Sequence, residues 1–421
     1  MLFSKLSLLA IAVLLLAGPK LSAAPLPLLH ASGTALTDPS GRVVTLKGIN
    51  LGGWLVEEMW MQPFVTTPPA GSSFMPIKDH VSLWNTVQTR FGAAGKTRVQ
   101  TAFRNAWLGE SDFKRLHAAG FNCVRLPFLA GIVNEPNGLH WLDQAVQWAG
   151  ENDLYVVLDM HGAPGGQSDQ HHTGQADLNQ FFKNPANITL AEQIWTQIAR
   201  HYRGSPAVAG YDMLNEPTGT PNSDTLYVVQ DRLYRAIRAG DPAHVIFIED
   251  GYTGIQWMPF PAPAGWSNVV YSTHYYNFNA KSAADQQKSS DDYVASIEKE
   301  QVRRTVPFYI GEYGFEPHGT RELLSSFLQT LDAKHISSSL WTYKVMWTGG
   351  GQSLWSLYSN AHPITPLNPF TDTEAQLIEK CAQLRTDRLD TNPNVAAAFG
   401  PPPNQTAKYQ IPNSEIKKEK T

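Results

Sequence analysis

Two glutamates stand at the ends of short apolar runs. Glu216 follows Asn215 at the close of "GYDMLNEP" (210–217), and Glu312 lies in "VPFYIGEYG" (306–314). A pair of carboxylic acids delivered from two buried segments suits cleavage of a glycosidic bond. One acid protonates the leaving oxygen while the other carboxylate attacks the anomeric carbon, and direct attack requires the two to sit about 5–5.5 Å apart. The acid then needs a pKa raised by its surroundings. The nucleophile needs a cationic or hydrogen-bonding neighbour, for which Arg125 and Tyr276 qualify. Asn215, His161 and His274 are donors and acceptors suited to sugar hydroxyls, and Trp341 offers a flat floor for a ring.

These residues must be carried by elements that bring them together. Eight apolar runs read as strands: 43–52, 120–128, 154–162, 208–217, 244–250, 269–277, 306–314 and 338–344. Most are nearly continuous in apolar residues, as parallel strands covered on both faces are. Amphipathic helical segments separate many of them, for example "LAEQIWTQIARHY" and "LYVVQDRLYRAIRAG". The expected fold is α/β, a (β/α)8 TIM barrel preceded by a short N-terminal hairpin whose turn is "DPSG". No strand leads into a Gly-rich phosphate loop, which argues against an open doubly wound sheet. Residues 53–85 read as a long aromatic loop. In such a barrel chemistry gathers at the C-terminal strand ends, and seven of the eight runs end in polar or ionisable residues. Glu249 and Asp250 read as caps of a following helix. Pro217 favours an extended backbone at Glu216.

The chain has 421 residues, a net charge of −4 and only 17% charged residues, so it carries no nucleic-acid footprint. "LSLLAIAVLLLA" (6–17) after Lys5 has signal-peptide length, giving an expected signal over 1–24 and no membrane anchor. The catalytic barrel is expected over 33–398 and a disordered tail over 399–421. Cys123 and Cys381 are the only cysteines; Cys123, inside an apolar run, reads as a buried thiol, with a single disulfide as the other possibility.

The ordered set Arg125, His161, Asn215–Glu216, His274, Tyr276, Glu312 and Trp341 resembles the active site of family 5 glycoside hydrolases, the cellulase-like retaining β-glycanases. The resemblance spans about 40–390. It implies Glu216 as acid/base, Glu312 as nucleophile and a cis peptide after Trp341. "NLGGWLVEEMW", "HGAPGGQ", "HYY" and "WTYK" are similar to the exo-β-1,3-glucanase branch. That likeness implies Glu58 as a ligand of the terminal sugar and Trp355 as a wall of its pocket. The chain departs from the branch at Gln170–His171 and at "GEYGF". The function implied is a secreted glucan β-1,3-glucosidase-like enzyme, with no cofactor or metal, a β-glucan substrate and a monomeric state. An endo-β-1,4-glucanase is the alternative. A non-catalytic glycan-binding barrel, and a metal-dependent hydrolase using His161, His171, His172 and His274, are readings from other classes.

Overall fold

The computed structural model describes residues 26–135 and 138–400. The expected signal peptide, and all but the first two residues of the expected tail, lie outside the described residues. β1 (His30–Ser32) and β2 (Ala35–Thr37) form an antiparallel hairpin. It turns at Gly33–Thr34, and the expected "DPSG" turn follows it, where Asp38 accepts from the backbone N–H groups of Ser40 and Arg42.

Eight parallel strands then close a barrel: β3 (Lys47–Asn50), β4 (Cys123–Leu129), β5 (Tyr155–Gly162), β6 (Val208–Asp212), β7 (Val245–Glu249), β8 (Val269–Tyr275), β9 (Phe308–Tyr313) and β10 (Ser337–Leu340). They pair in chain order, and β10 returns to β3. The fold is therefore the expected (β/α)8 barrel. The crossovers carry α1 (His80–Trp107), α2 (Glu110–Ala118), α3 (His140–Gly150), α4 (Pro185–Tyr202), α5 (Ser223–Gly240), the four-residue α6 (Pro261–Ala264), α7 (Ala283–Arg304) and α8 (Arg321–Ala333). α9 (Glu374–Cys381) and α10 (Pro393–Phe399) follow β10. Residues 80–85, read as loop, belong instead to α1. An Asp79–Ser82 capping box starts that helix, and Gly92, at φ 70°, breaks it. Cys123 and Cys381 are both buried free thiols.

Inside the barrel, inward positions change character with height. Cys123 on β4, Tyr155 and Val157 on β5, and Val245 and Phe247 on β7 share one apolar cluster with Leu36 and Leu46 at the hairpin end. Two residues further along the same strands stand Arg125, Asp159 and Glu249, all buried. Because strand side chains alternate with period two, these belong to the same inward faces. The outward residues Val124, Val156, Leu158 and Ile246 pack with the helices. On β4, β5 and β7 an apolar plug is thus topped by a polar layer.

Several strands stop pairing earlier than the apolar runs suggest. β6 ends at Asp212, not 217. Beyond it the chain still bonds to its neighbours, with Asn215 N–H to the Met160 carbonyl at 3.1 Å and Trp195 Nε1 to the Met213 carbonyl at 2.9 Å. The segment is therefore fixed by α4 and β5 rather than by a continuous ladder.

A glycine fits the β5 end for want of space. A Cβ at Gly162 would lie 2.3 Å from the Thr173 carbonyl, in the turn His171–Thr173. Gly162→Ala should therefore push that turn away, costing on the order of 1–3 kcal/mol in urea unfolding and lowering activity in parallel.

Candidate active site

Arg125 is fully buried, and its guanidinium organises the polar layer. Nε donates to Asp212 Oδ2 (2.9 Å). Nη1 donates to Glu312 Oε1 (2.8 Å) and Asn50 Oδ1 (3.1 Å), and lies 3.2 Å from Asp159 Oδ2. Nη2 donates to Asn215 Oδ1 (2.8 Å) and Glu249 Oε1 (3.2 Å). The planar fork of donors thereby fixes side chains from β3, β4, β5, β6, β7 and β9 in one frame.

Glu312 on β9 accepts from Arg125 at one oxygen and from Tyr276 Oη (2.8 Å) at the other. Glu216 Oε1 meets His274 Nδ1 (2.7 Å) and Tyr252 Oη (2.9 Å), while Oε2 lies 3.3 Å from His172 Nε2. A carboxylate oxygen of Glu216 and one of Glu312 lie within 4.8 Å of each other, with His274 between them. That approach is compatible with the short carboxyl separation of direct attack.

The backbone at Glu216 is left-handed, φ 39°, and not extended as Pro217 alone would favour. The local preference is overridden because the Glu216 N–H donates to Glu249 Oε2 (2.7 Å). Gln167, also fully buried, donates to the carbonyls of Asn215 and His161 (2.7 and 2.8 Å). A non-glycine residue held there costs about 1–3 kcal/mol, and this environment supplies it.

A cavity of about 350 Å³ lies over these groups. Of the residues singled out in the sequence, Glu58, His161, Asn215, Glu216, Tyr276, Glu312, Trp341 and Trp355 line it. Arg125 and His274 are not among its lining residues and reach it through their bonds to Glu312 and Glu216. Trp341 stacks on His161 (5.5 Å, 12°), and the Trp341–Thr342 peptide is cis. Glu58 Oε2 accepts from Trp60 Nε1 (2.9 Å) and meets His171 Nε2 (3.1 Å); its Oε1 has no protein partner among the described residues. The "GEYGF" departure makes room for the wall, since a Cβ on Gly314 would come within 2.9 Å of the Trp355 ring. A larger groove, about 700 Å³, runs along α4 beside Leu139 and is lined by side chains such as Thr189, Gln193 and Arg200.

Sequence reasoning missed several members. Glu249 does not cap a helix: it is buried, bonded to Arg125 and to the Glu216 backbone. Asp250, raised to about 6 by burial and by Glu249, sits beside it. Tyr252, Trp60 and Phe278 line the cavity, and His171 and His172 reach it without converging on a common point with His161 and His274. The signal for Glu249 was its inward phase, two residues beyond Phe247.

Burial raises Asp159 to about 8, further helped by Glu249, against the pull of Arg125. Burial also raises Asp212 well above the carboxylate range. Burial works against a charge on His274, but Glu249, Glu312 and Glu216 outweigh it and hold the imidazole well above its ordinary pKa. Glu216 is depressed: burial opposes this, but the bond and charge of His274, with His172 and Tyr252, prevail. Glu312 is raised by burial and by the charge of Glu216, against His274 and Arg125. This order is the reverse of the one expected for an acid and a nucleophile. The physical reason is His274, one 2.7 Å hydrogen bond from Glu216 Oε1, which favours the charged carboxylate while the carboxylates favour its own protonated imidazole. Glu216 and His274 thus form a proton-holding pair weighted toward the imidazole.

Residues 88–346 match the model of the cellulase family, glycosyl hydrolase family 5, and the chain belongs to that family. Among relatives, it is 31% identical over 288 residues to a β-xylosidase of Phanerodontia chrysosporium, covering 66% of this chain and 57% of that protein. It is 32% identical over 245 residues to a probable glucan 1,3-β-glucosidase A of Aspergillus niger, covering 55% of each. The alignments thus span little more than half the length of these relatives. A rutinosidase structure from Aspergillus niger shares the fold with a TM-score of 0.58, 17% identity, and coverage of 80% of this chain and 98% of that one.

Two outcomes follow from the Arg125 frame and the shared proton. Arg125→Met strands buried carboxylates and should destabilise the protein by roughly 3–5 kcal/mol in urea unfolding. His274→Asn removes the site with the raised pKa, so the pair's proton rests on Glu216 alone and is lost at lower pH. The alkaline limb of kcat/KM against pH should move down, measured on an aryl β-glycoside.

Proposed function

We propose that this chain is an exported, retaining β-glucan hydrolase acting in the manner of a glucan β-1,3-glucosidase, with Glu216 as acid/base and Glu312 as nucleophile. The observation that carries this reading is the pair of carboxylate oxygens within 4.8 Å in a cavity of about 350 Å³. In the first half-reaction Glu312 forms a bond to the anomeric carbon as the leaving oxygen departs and takes the proton held by Glu216 and His274. In the second, water gives a proton to Glu216 and its oxygen replaces Glu312 at the same carbon, so the configuration is retained. Asn215 and His161, both lining the cavity, are the proposed ligands of the sugar hydroxyls, Glu58 and Trp355 bound its far end, and Trp341 is its floor. Arg125 and Tyr276 hold the nucleophile.

Cavity shape supports an exo mode. Glu58, Trp60, His171 and Trp355 gather on it through the Glu58 hydrogen bonds and the Trp60–Trp355 contact (5.4 Å), walling off one side of the sugar site. The names of relatives support a β-glycosidase and leave two sugars in contention, glucose and xylose, which differ by one hydroxymethyl group. The proposed partner is a β-glucan chain end met by a monomer. No helix among the described residues is long and apolar enough to cross a membrane. Export rests on the composition of residues 1–24, and N-terminal sequencing of protein recovered from culture medium checks it.

Glu312→Gln should lower turnover by roughly 10³-fold or more with the unfolding transition intact; near-native turnover contradicts the assignment. The linkage is read from a panel of laminarin, β-1,6-glucan, carboxymethylcellulose, mixed-linkage glucan, mannan, and aryl β-glucoside and β-xyloside. Single sugars released from laminarin are expected, and long oligosaccharides from carboxymethylcellulose would point to the endo-β-1,4 alternative.

A further inference from the structure

The loop after β7 holds a tyrosine in an unusual conformation. Tyr252 has φ 58°, a region that non-glycine residues seldom occupy. The loop is fixed from two sides. Thr253 donates its N–H (3.0 Å) and its hydroxyl (2.7 Å) to the Asp250 carbonyl. Gly251 is packed so closely on Pro217 that a Cβ there would lie 2.9 Å from the proline ring. The strained loop is therefore seated on the Glu216–Pro217 turn, itself left-handed at Glu216.

At this rim position Tyr252 is 53% exposed as a residue, yet its hydroxyl reaches Glu216 Oε1 at 2.9 Å. Burial, and then the nearby charges of Glu216 and Glu312, push the phenol's pKa up, so it donates. Tyr252 and His274 together occupy Oε1. Among the described residues Oε2 meets His172 at 3.3 Å and no closer partner, and it is the oxygen available to exchange a proton with substrate or water.

Resting on the function proposed above, we infer that Tyr252 is a positioning residue for the acid/base: its hydroxyl fixes the Glu216 carboxylate and favours the ionised form that receives the proton of water in the second half-reaction. A donor to a carboxylate stabilises its charged state. The same bond opposes protonation of Glu216 in the first half-reaction, so its effects on the two steps have opposite signs. The charged and titratable groups that face Glu216, besides Tyr252, are His274, His172, Glu312, Glu249, Asp159 and Tyr276, with His161 and His171 further along the cavity. All of them remain when only the hydroxyl is removed.

Tyr252→Phe makes that removal and keeps the ring. With a dinitrophenyl β-glycoside, whose leaving group needs no acid, kcat reports the second half-reaction. The variant should lose about tenfold in kcat and less in kcat/KM, and the acidic limb of kcat should move up by about one pH unit. In parallel, a ¹³C-carboxyl titration of labelled protein, with Glu216 assigned through Glu216→Gln, should show the Glu216 pKa rising by a similar amount. Unchanged limbs and an unchanged titration overturn the proposal, as does an equal loss in kcat and kcat/KM without a shift. The titration does not depend on turnover. A wild-type protein that cleaves no β-glycoside contradicts the proposed function, whereas an active wild type with an unshifted variant contradicts only the role of Tyr252.

Discussion

The buried guanidinium of Arg125 is the constraint on which the rest depends. An arginine without solvent exposure is tolerable only when its donors and charge are matched, and removing its partners or removing it would leave uncompensated charge in a low-dielectric interior. Here Asp212, Glu312, Glu249, Asp159, Asn215 and Asn50 match it. They come from separate strands, so the barrel can satisfy the arginine only when closed in its correct register. The same contacts set the distance between Glu312 and the Asn215–Glu216 segment. Folding and site geometry are therefore one problem, solved by one side chain.

Protonation follows from this arrangement. Five carboxyl groups share the layer with one arginine and one raised histidine. Burial keeps Asp159 and Asp212 toward the neutral form, and within the Glu216–His274 pair the charged carboxylate and the protonated imidazole are favoured. The asymmetry between the two glutamates lies in their neighbours. Glu312 has a permanent cation and a phenol, which hold a carboxylate in place. Glu216 has imidazoles and a phenol, which can give or hold a proton.

Much of this was legible in the sequence. Eight apolar runs with polar ends specify a parallel barrel, because strands covered on both faces must be apolar and must stop where the barrel opens. Glu216 and Glu312 stood at those ends, as did His161 and Trp341. What was not legible depended on three-dimensional partners. Glu249 looked like a helix cap until its inward phase and its bond to the Glu216 backbone were seen. The left-handed Glu216 was hidden because the local preference set by Pro217 points the other way. The pKa order of the two glutamates was hidden because it depends on where His274 sits between them. The start of α1 carried its signal in Asp79 and Ser82, but Gly92 and Gly95 disrupt the periodicity behind it.

The central claim is that Glu312 attacks the anomeric carbon while Glu216 manages the proton. A β-glycoside bearing fluorine at C2 and a good leaving group slows both half-reactions but the second more, so a glycosyl-enzyme accumulates. Mass analysis of the proteolysed protein after incubation with such 2-fluoro glucosides and xylosides tests the claim most directly. The account predicts one added sugar, on the peptide containing Glu312, and none in Glu312→Gln. An active enzyme that forms no adduct, or one that carries the sugar on Glu216, would contradict it.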